Sequence, residues 1–193
     1  MGIDSDPSPA ARTVVLVEGL SDRYAVEALA RRRGRDLDGE GIAVVEMGGS
    51  KNIRRYLGRF GPAGLDRRLA GLCDAGEVRD IQRGLEWAGL GSDLTRTDIE
   101  RLGFFVCDAD LEDELVRALG IAAVERVLED QGELASFRTF QRQPPWRGRP
   151  HQEQLRRFFG TLGGRKIRSA AALVDALDLT RVPPPLDRLV AWI

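Results

Sequence analysis

Thr13-Val14-Val15-Leu16-Val17-Glu18-Gly19-Leu20-Ser21-Asp22 opens the part of the chain that decides the fold. Five β-branched or apolar residues end at a carboxylate and a glycine, and Ser21 to Arg33 then reads as a helix. A run that is apolar throughout, instead of at every second position, describes a strand buried on both faces. The same unit recurs three times. Ile42 to Met47 leads through Gly48-Gly49 to Ile53, Leu57 and Phe60 on one helical face. Leu69 to Cys73 leads into Asp74, with Val78, Ile81 and Leu85 behind it, and Phe104 to Cys107 leads into Asp108, with Leu111, Leu115 and Leu119 behind it. Strands alternating with helices imply a parallel sheet joined by right-handed crossovers.

The pattern predicts an α/β core, a four-stranded and mostly parallel Rossmann-like sheet flanked by helices, over about residues 13–120. From Ile121 the periodicity is helical: Val124, Val127 and Leu128; Leu155, Phe158, Phe159 and Leu162; Leu173, Val174 and Leu177; Leu186, Leu189 and Val190. Gln141 to Pro150, with Pro144-Pro145 and Gly148, reads as a loop between helices. The helical part, about 121–193, is read as an extension of one domain spanning 13–193, with 1–12 as a flexible tail.

A chain of 193 residues with 42% hydrophobic content suffices for one buried core. No apolar run approaches the roughly 20 residues that span a bilayer, and Met1 to Arg12 lacks the regions of a signal peptide. A cytoplasmic protein without a membrane partner is expected. Cys73 and Cys107 each close an apolar run, as small core residues do in a reducing compartment. The lone His151 offers no zinc-ligand spacing.

Carboxyl ends of parallel strands line one edge of a sheet, so residues just after each strand converge there. In this chain those residues are acids. Glu18, Asp74 and Asp108 follow the first, third and fourth strands, with Asp22, Glu77, Asp110 and Glu112 a turn or less beyond. Each alone has an ordinary use as a helix cap or dipole partner. Gathered at one edge they repel one another unless a cation neutralises them, and all-oxygen donors favour Mg²⁺ or Mn²⁺. Two such ions form the clamp of in-line phosphoryl chemistry.

Net charge is -1, yet nine basic residues stand against the single acid Glu153 between residues 138 and 168. Arg138, Arg142, Arg147, Arg149, Arg156 and Arg157, interleaved with Phe140 and Trp146, have the character of a phosphate-tracking surface for DNA or another nucleic acid. The same arginines are equally suited to neutralising an acidic face of their own domain, and both uses stay open.

Val15-Leu16-Val17-Glu18-Gly19-Leu20-Ser21-Asp22 resembles the opening motif of Toprim domains, and the second acid at Asp22 is similar to the branch found in OLD (overcoming lysogenization defect) nucleases. Leu72-Cys73-Asp74-Ala75-Gly76-Glu77 resembles the Asp-x-Asp motif, with Gly76 at the second aspartate and Glu77 beside it. Ala109-Asp110-Leu111-Glu112 is similar to the acidic segment after the last strand, and Gly164-Arg165-Lys166-Ile167 to the position of the active-site lysine.

The resemblance, over about Thr13 to Leu177, implies a Toprim fold and two-metal hydrolysis of DNA. On it, Glu18, Asp74 and Glu77 serve one ion, Asp22, Asp110 and Glu112 the other, and Lys166 the transition state. It also implies an ABC-type ATPase; no P-loop pattern occurs in these 193 residues, so an ATPase partner in trans is expected. Two other readings stay open: a non-catalytic Toprim module that binds nucleic acid or an ATPase, and a metal-dependent small-molecule phosphohydrolase. Oligomeric state is not legible.

Overall fold

The computed structural model describes residues 11–161 and 163–193. Residues 1–10, most of the expected tail, lie outside the described residues; Arg12 already bonds through its N–H to the Gly41 carbonyl at 2.7 Å. Four strands form one sheet: β1 (Thr13–Val17), β2 (Ile42–Glu46), β3 (Arg68–Asp74) and β4 (Phe104–Cys107), in the order β2-β1-β3-β4. Every pairing is parallel, with Val17 beside Glu46, Leu16 beside Gly71 and Asp74 beside Cys107. The chain leaves β1 toward β2 on one side and returns to β3 on the other. Between the carboxyl ends of β1 and β3 lies the topological switch point, where open sheets of this kind bind ligands.

Strand alternation divides the core. Val15, Val17, Ala70, Leu72, Phe105 and Cys107 face one side. There they meet α1 (Leu20–Arg32), α5 (Leu111–Leu119), α6 (Ile121–Asp130), α7 (Leu134–Gln141), α8 (His151–Phe159), α9 (Gly163–Ala176) and α10 (Pro184–Trp192). Val14, Leu16, Leu69, Cys73, Phe104 and Val106 face the other side. There α2 (Ile53–Phe60), α3 (Val78–Trp87) and the short α4 (Arg96–Arg101) cover them. Phe60, Phe104, Phe137 and Phe159 are fully buried, each contributing about 1.5 to 3 kcal/mol.

Two glycines set close approaches. A Cβ at Gly71 would lie 2.6 Å from Phe104 Cδ1 and 2.9 Å from the Leu16 carbonyl oxygen, so the bare backbone there lets Phe104 pack across β3. A Cβ at Gly84 of α3 would lie 2.7 Å from Ile53 Cγ2, so α2 and α3 touch almost backbone to side chain. No helix among the described residues is long and apolar enough to cross a membrane.

Candidate metal centre

Glu18 leaves the end of β1 and Asp74 the end of β3, on either side of the switch point. Asp22 sits in the first turn of α1 and accepts from the Gly19 N–H at 3.0 Å, which fixes it at the same edge. Glu77 follows Asp74 by one short 3-10 turn, Ala75–Glu77, and its carboxyl lies near those of Glu18 and Asp80 and near the Ser50 hydroxyl. Ser50 also donates to Asp80 Oδ2 at 3.3 Å. Asp110 caps α5, accepting from the Asp113 N–H at 2.8 Å, and Glu112 is buried in the first turn of that helix.

Burial, then the charges of Asp22, Glu18, Asp110 and Glu112, push the Asp74 carboxyl up to about 8. Glu77 is pushed up to about 7 by burial and by the nearby Glu18. Asp22, Glu18, Asp110 and Glu112 are thus each near enough to Asp74 to oppose its ionisation. Asp108 does not join them: it is 66% exposed and meets Arg96 of α4 at 3.4 Å. Alternation accounts for this, since Cys107 faces the α1 side and the next residue turns to the α4 side.

Among the described residues, no three His, Cys, Asp or Glu side chains already form a group that could hold a metal ion. Mutual repulsion and prior commitments account for the spread: Asp22 and Asp110 each serve a helix start, and Arg156 Nε of α8 meets Asp110 Oδ2 at 2.6 Å. The donor chemistry nevertheless fits a hard divalent cation, being oxygen throughout. Glu77 Oε2 is buried with no hydrogen-bond donor, a cost that a cation would relieve.

Sequence reasoning missed Glu46, which closes β2 beside Val17 and keeps Oε2 buried without a donor. The signal existed, an acid ending a β-branched run like Glu18, but Glu46 lies inside the Ile42 to Met47 apolar run and was absorbed into it.

Much of the basic segment is occupied at home. Arg138 pairs with Glu125 at 2.6 Å, Arg149 with Glu153 at 2.9 Å, and Arg165 and Arg168 with Glu133 at 2.9 and 3.5 Å. Arg142 reaches the Thr139 hydroxyl at 3.4 Å, and Arg147 the Arg142 carbonyl at 3.2 Å. Arg157 lines a pocket of about 370 Å³ with Asp110, Glu112, Trp146 and Arg156, next to the acidic edge. Lys166 falls within α9, but its side chain lies outside the described residues.

A four-stranded parallel sheet with carboxylates at its switch point is the architecture of the Toprim class. Residues 11–74 match the family model described as overcoming lysogenization defect protein-like, TOPRIM domain. The C-terminal region of the Xanthomonas campestris pv. campestris OLD protein is similar at a TM-score of 0.73 and 27% identity, covering 94% of this chain and 91% of that one. The C-terminal region of the Burkholderia pseudomallei OLD protein is similar at a TM-score of 0.72 and 23% identity, covering 94% and 96%. Comparison with curated proteins gives no match. The chain thus matches the OLD-like Toprim model over residues 11–74 and has the fold of the C-terminal regions of OLD proteins.

Proposed function

We propose that this domain hydrolyses the phosphodiester backbone of DNA, using Mg²⁺ or Mn²⁺ held at the carboxyl edge of its sheet. The observation that carries the reading is the set of carboxylates around the switch point, Glu18 after β1 and Asp74 and Glu77 after β3, close enough that Glu18 raises the pKa of both others. Acids driven together this closely, with both Asp74 and Glu77 reluctant to ionise, are a site whose natural complement is a cation. Glu18, Asp74 and Glu77 would hold one ion, and Asp22, Asp110 and Glu112 would hold or support the other.

When bound, such cations supply Lewis-acid polarisation of the phosphate and a more acidic water at neutral pH. The chain's own part is to orient and to balance charge. The Gly19 N–H bond keeps Asp22 directed along the edge, and the Asp113 N–H does the same for Asp110. Lys166 is assigned to the charge that builds on the phosphoryl oxygens. Arg157, beside the acidic edge, is placed to take a flanking phosphate. An ATPase acting in trans is proposed as the source of any ATP dependence.

The test is nicking of supercoiled plasmid with Mg²⁺ or Mn²⁺, comparing the parent with Glu18→Ala and Asp74→Asn. Loss of nicking in both variants supports the reading; nicking equal to the parent's in both overturns it. Gly76, at the second position of an Asp-x-Asp-like motif, favours a second reading, a nucleic-acid-binding platform without cleavage. Metal-dependent binding of duplex with no nicking by the parent would decide for that one.

A further inference from the structure

Five arginines of the 138–168 segment, Arg138, Arg149, Arg156, Arg165 and Arg168, are spent on ion pairs within the domain. The opposite side of the acidic edge differs. Lys51, Arg54, Arg55 and Arg59, on the 3-10 turn Ser50–Asn52 and on α2, are all exposed, as are Arg79 and Arg83 on α3. Neither the turn nor α2 contains an acid. The two acids of α3 are occupied: Asp80 accepts from Ser50 at 3.3 Å and Glu86 from the Leu94 N–H at 3.0 Å. Among the described residues, Lys51, Arg54, Arg79 and Arg83 make no ion pair.

These charges form one surface. Gly84 seats α3 directly on Ile53 and Leu57 of α2, and a Cβ at Gly58 of α2 would lie 3.2 Å from the ring of Trp87 at the far end of α3. With Gly58 and Gly84 at their contact the two helices lie close together, and their outer faces form a continuous band, closed by the 57% exposed indole of Trp87. The band starts at the acidic edge, because Ser50 beside Lys51 donates to Asp80 and lies near Glu77. Like charges four residues apart on a helix, such as Arg79 and Arg83, destabilise it by about 0.2 to 0.5 kcal/mol per pair. With Lys51, Arg54, Arg79 and Arg83 outside any ion pair among the described residues, this face is complementary to a polyanion.

We infer that the outer face of α2 and α3 is the principal duplex-binding surface, with Lys51, Arg54, Arg79 and Arg83 tracking one backbone into the carboxylate edge. The inference rests on the nuclease reading for its ligand, and it transfers most phosphate contact from the 138–168 segment to this face. A duplex so placed would cross the edge from α2 and α3 on one side to Arg157 on the other. Contacts of this kind hold the backbone without reading sequence.

The test is fluorescence anisotropy of the full chain with a labelled duplex in EDTA, across a range of NaCl concentrations. Two double variants are compared, Arg54→Glu with Arg83→Glu, and Arg142→Glu with Arg147→Glu, each checked for parental melting temperature. The α2–α3 variant is expected to bind at least about tenfold more weakly and to flatten the log–log salt slope by about 2, roughly 0.9 for each phosphate no longer neutralised. The Arg142 and Arg147 variant should change the slope by less than half as much.

Parental affinity and slope in the α2–α3 variant, with weakened binding in the other, overturns the inference and leaves the nuclease reading standing. Failure of the parent to bind duplex at all also overturns the inference, while nicking of supercoiled plasmid in Mg²⁺ decides the nuclease reading separately. Polyglutamate displacing duplex at equal charge concentration overturns it in favour of an acidic protein partner.

Discussion

Arg156 of α8 holds Asp110 of α5 by a 2.6 Å contact between Nε and Oδ2, so a guanidinium stands at the acidic edge where a metal ion is proposed. One turn earlier on α8, Gln152 donates to Asp113 at 2.9 Å, and the two contacts hang the helix on the start of α5. Arg156 is 51% exposed, and pairs of that kind contribute at most about 1 kcal/mol. Arg156→Gln is therefore expected to fold normally and to bind Mn²⁺ more tightly, by up to about fivefold. Electron paramagnetic resonance of free Mn²⁺ measures this; weaker binding would show that Arg156 assists the site instead of competing for it.

Stability should depend on pH in an unusual direction. Asp74 and Glu77 are pushed up to about 8 and about 7 in the folded protein, while in the unfolded chain they ionise near 4. Between those values the folded state holds more protons than the unfolded one, so stability is lost as pH rises. Metal-free protein is expected to melt lower at about pH 8.5 than at about pH 5.5. Mg²⁺ should raise the melting temperature more at the higher pH, and Asp74→Asn should flatten the dependence. A melting temperature in EDTA that climbs over this window would contradict the placement of the acids.

Gly76 has open space: a Cβ there meets nothing within 4 Å. Gly76→Asp is expected to leave stability within about 0.5 kcal/mol and to add a carboxylate beside Glu77. Tighter Mn²⁺ binding and faster plasmid nicking than the parent are the predicted results. A variant that folds but shows neither would mean that this position does not face the metal.

Gly84 is the contrary case. A methyl group at 2.7 Å from Ile53 Cγ2 forces α2 and α3 apart, and overpacking of this sort costs about 1 to 3 kcal/mol. Urea unfolding of Gly84→Ala checks this, and the same variant should weaken duplex binding if the two helices act as one surface.

Arg165 is almost wholly buried beneath Glu133 and stacks 3.9 Å above the Phe158 ring. Removing Glu133 leaves that charge uncompensated, so Glu133→Ala is expected to cost about 3 kcal/mol. Arg165→Met, which removes the charge but keeps the volume, should cost markedly less; equal losses in urea unfolding would show that the pair itself, not the stranded charge, sets the effect.

Strand identity was legible residue by residue. Thr13–Val17 and Phe104–Cys107 have in the structure the bounds that their apolar runs predict, because a strand buried on both faces has no polar position until it leaves the sheet. Glu18, Asp22, Asp74, Glu77, Asp110 and Glu112 could be singled out as candidates because parallel topology sends every strand end to one edge. The helix α4 was not legible, since its six residues contain the single buried apolar anchor Ile99, too little for any periodicity.

Which acid faces which partner was settled only by the tertiary structure. Asp108 and Asp110 differ by two positions in the chain, yet one meets Arg96 and the other Arg156, 46 residues away. Composition likewise left the 138–168 arginines equally suited to nucleic acid or to acids of their own domain, and only folding shows five of them paired with acids while, among the described residues, Lys51, Arg54, Arg79 and Arg83 make no ion pair. The physical reason is range: hydrophobic periodicity is a local property written within a few turns of chain, while the pairing of charges depends on distances that exist only after the helices have packed.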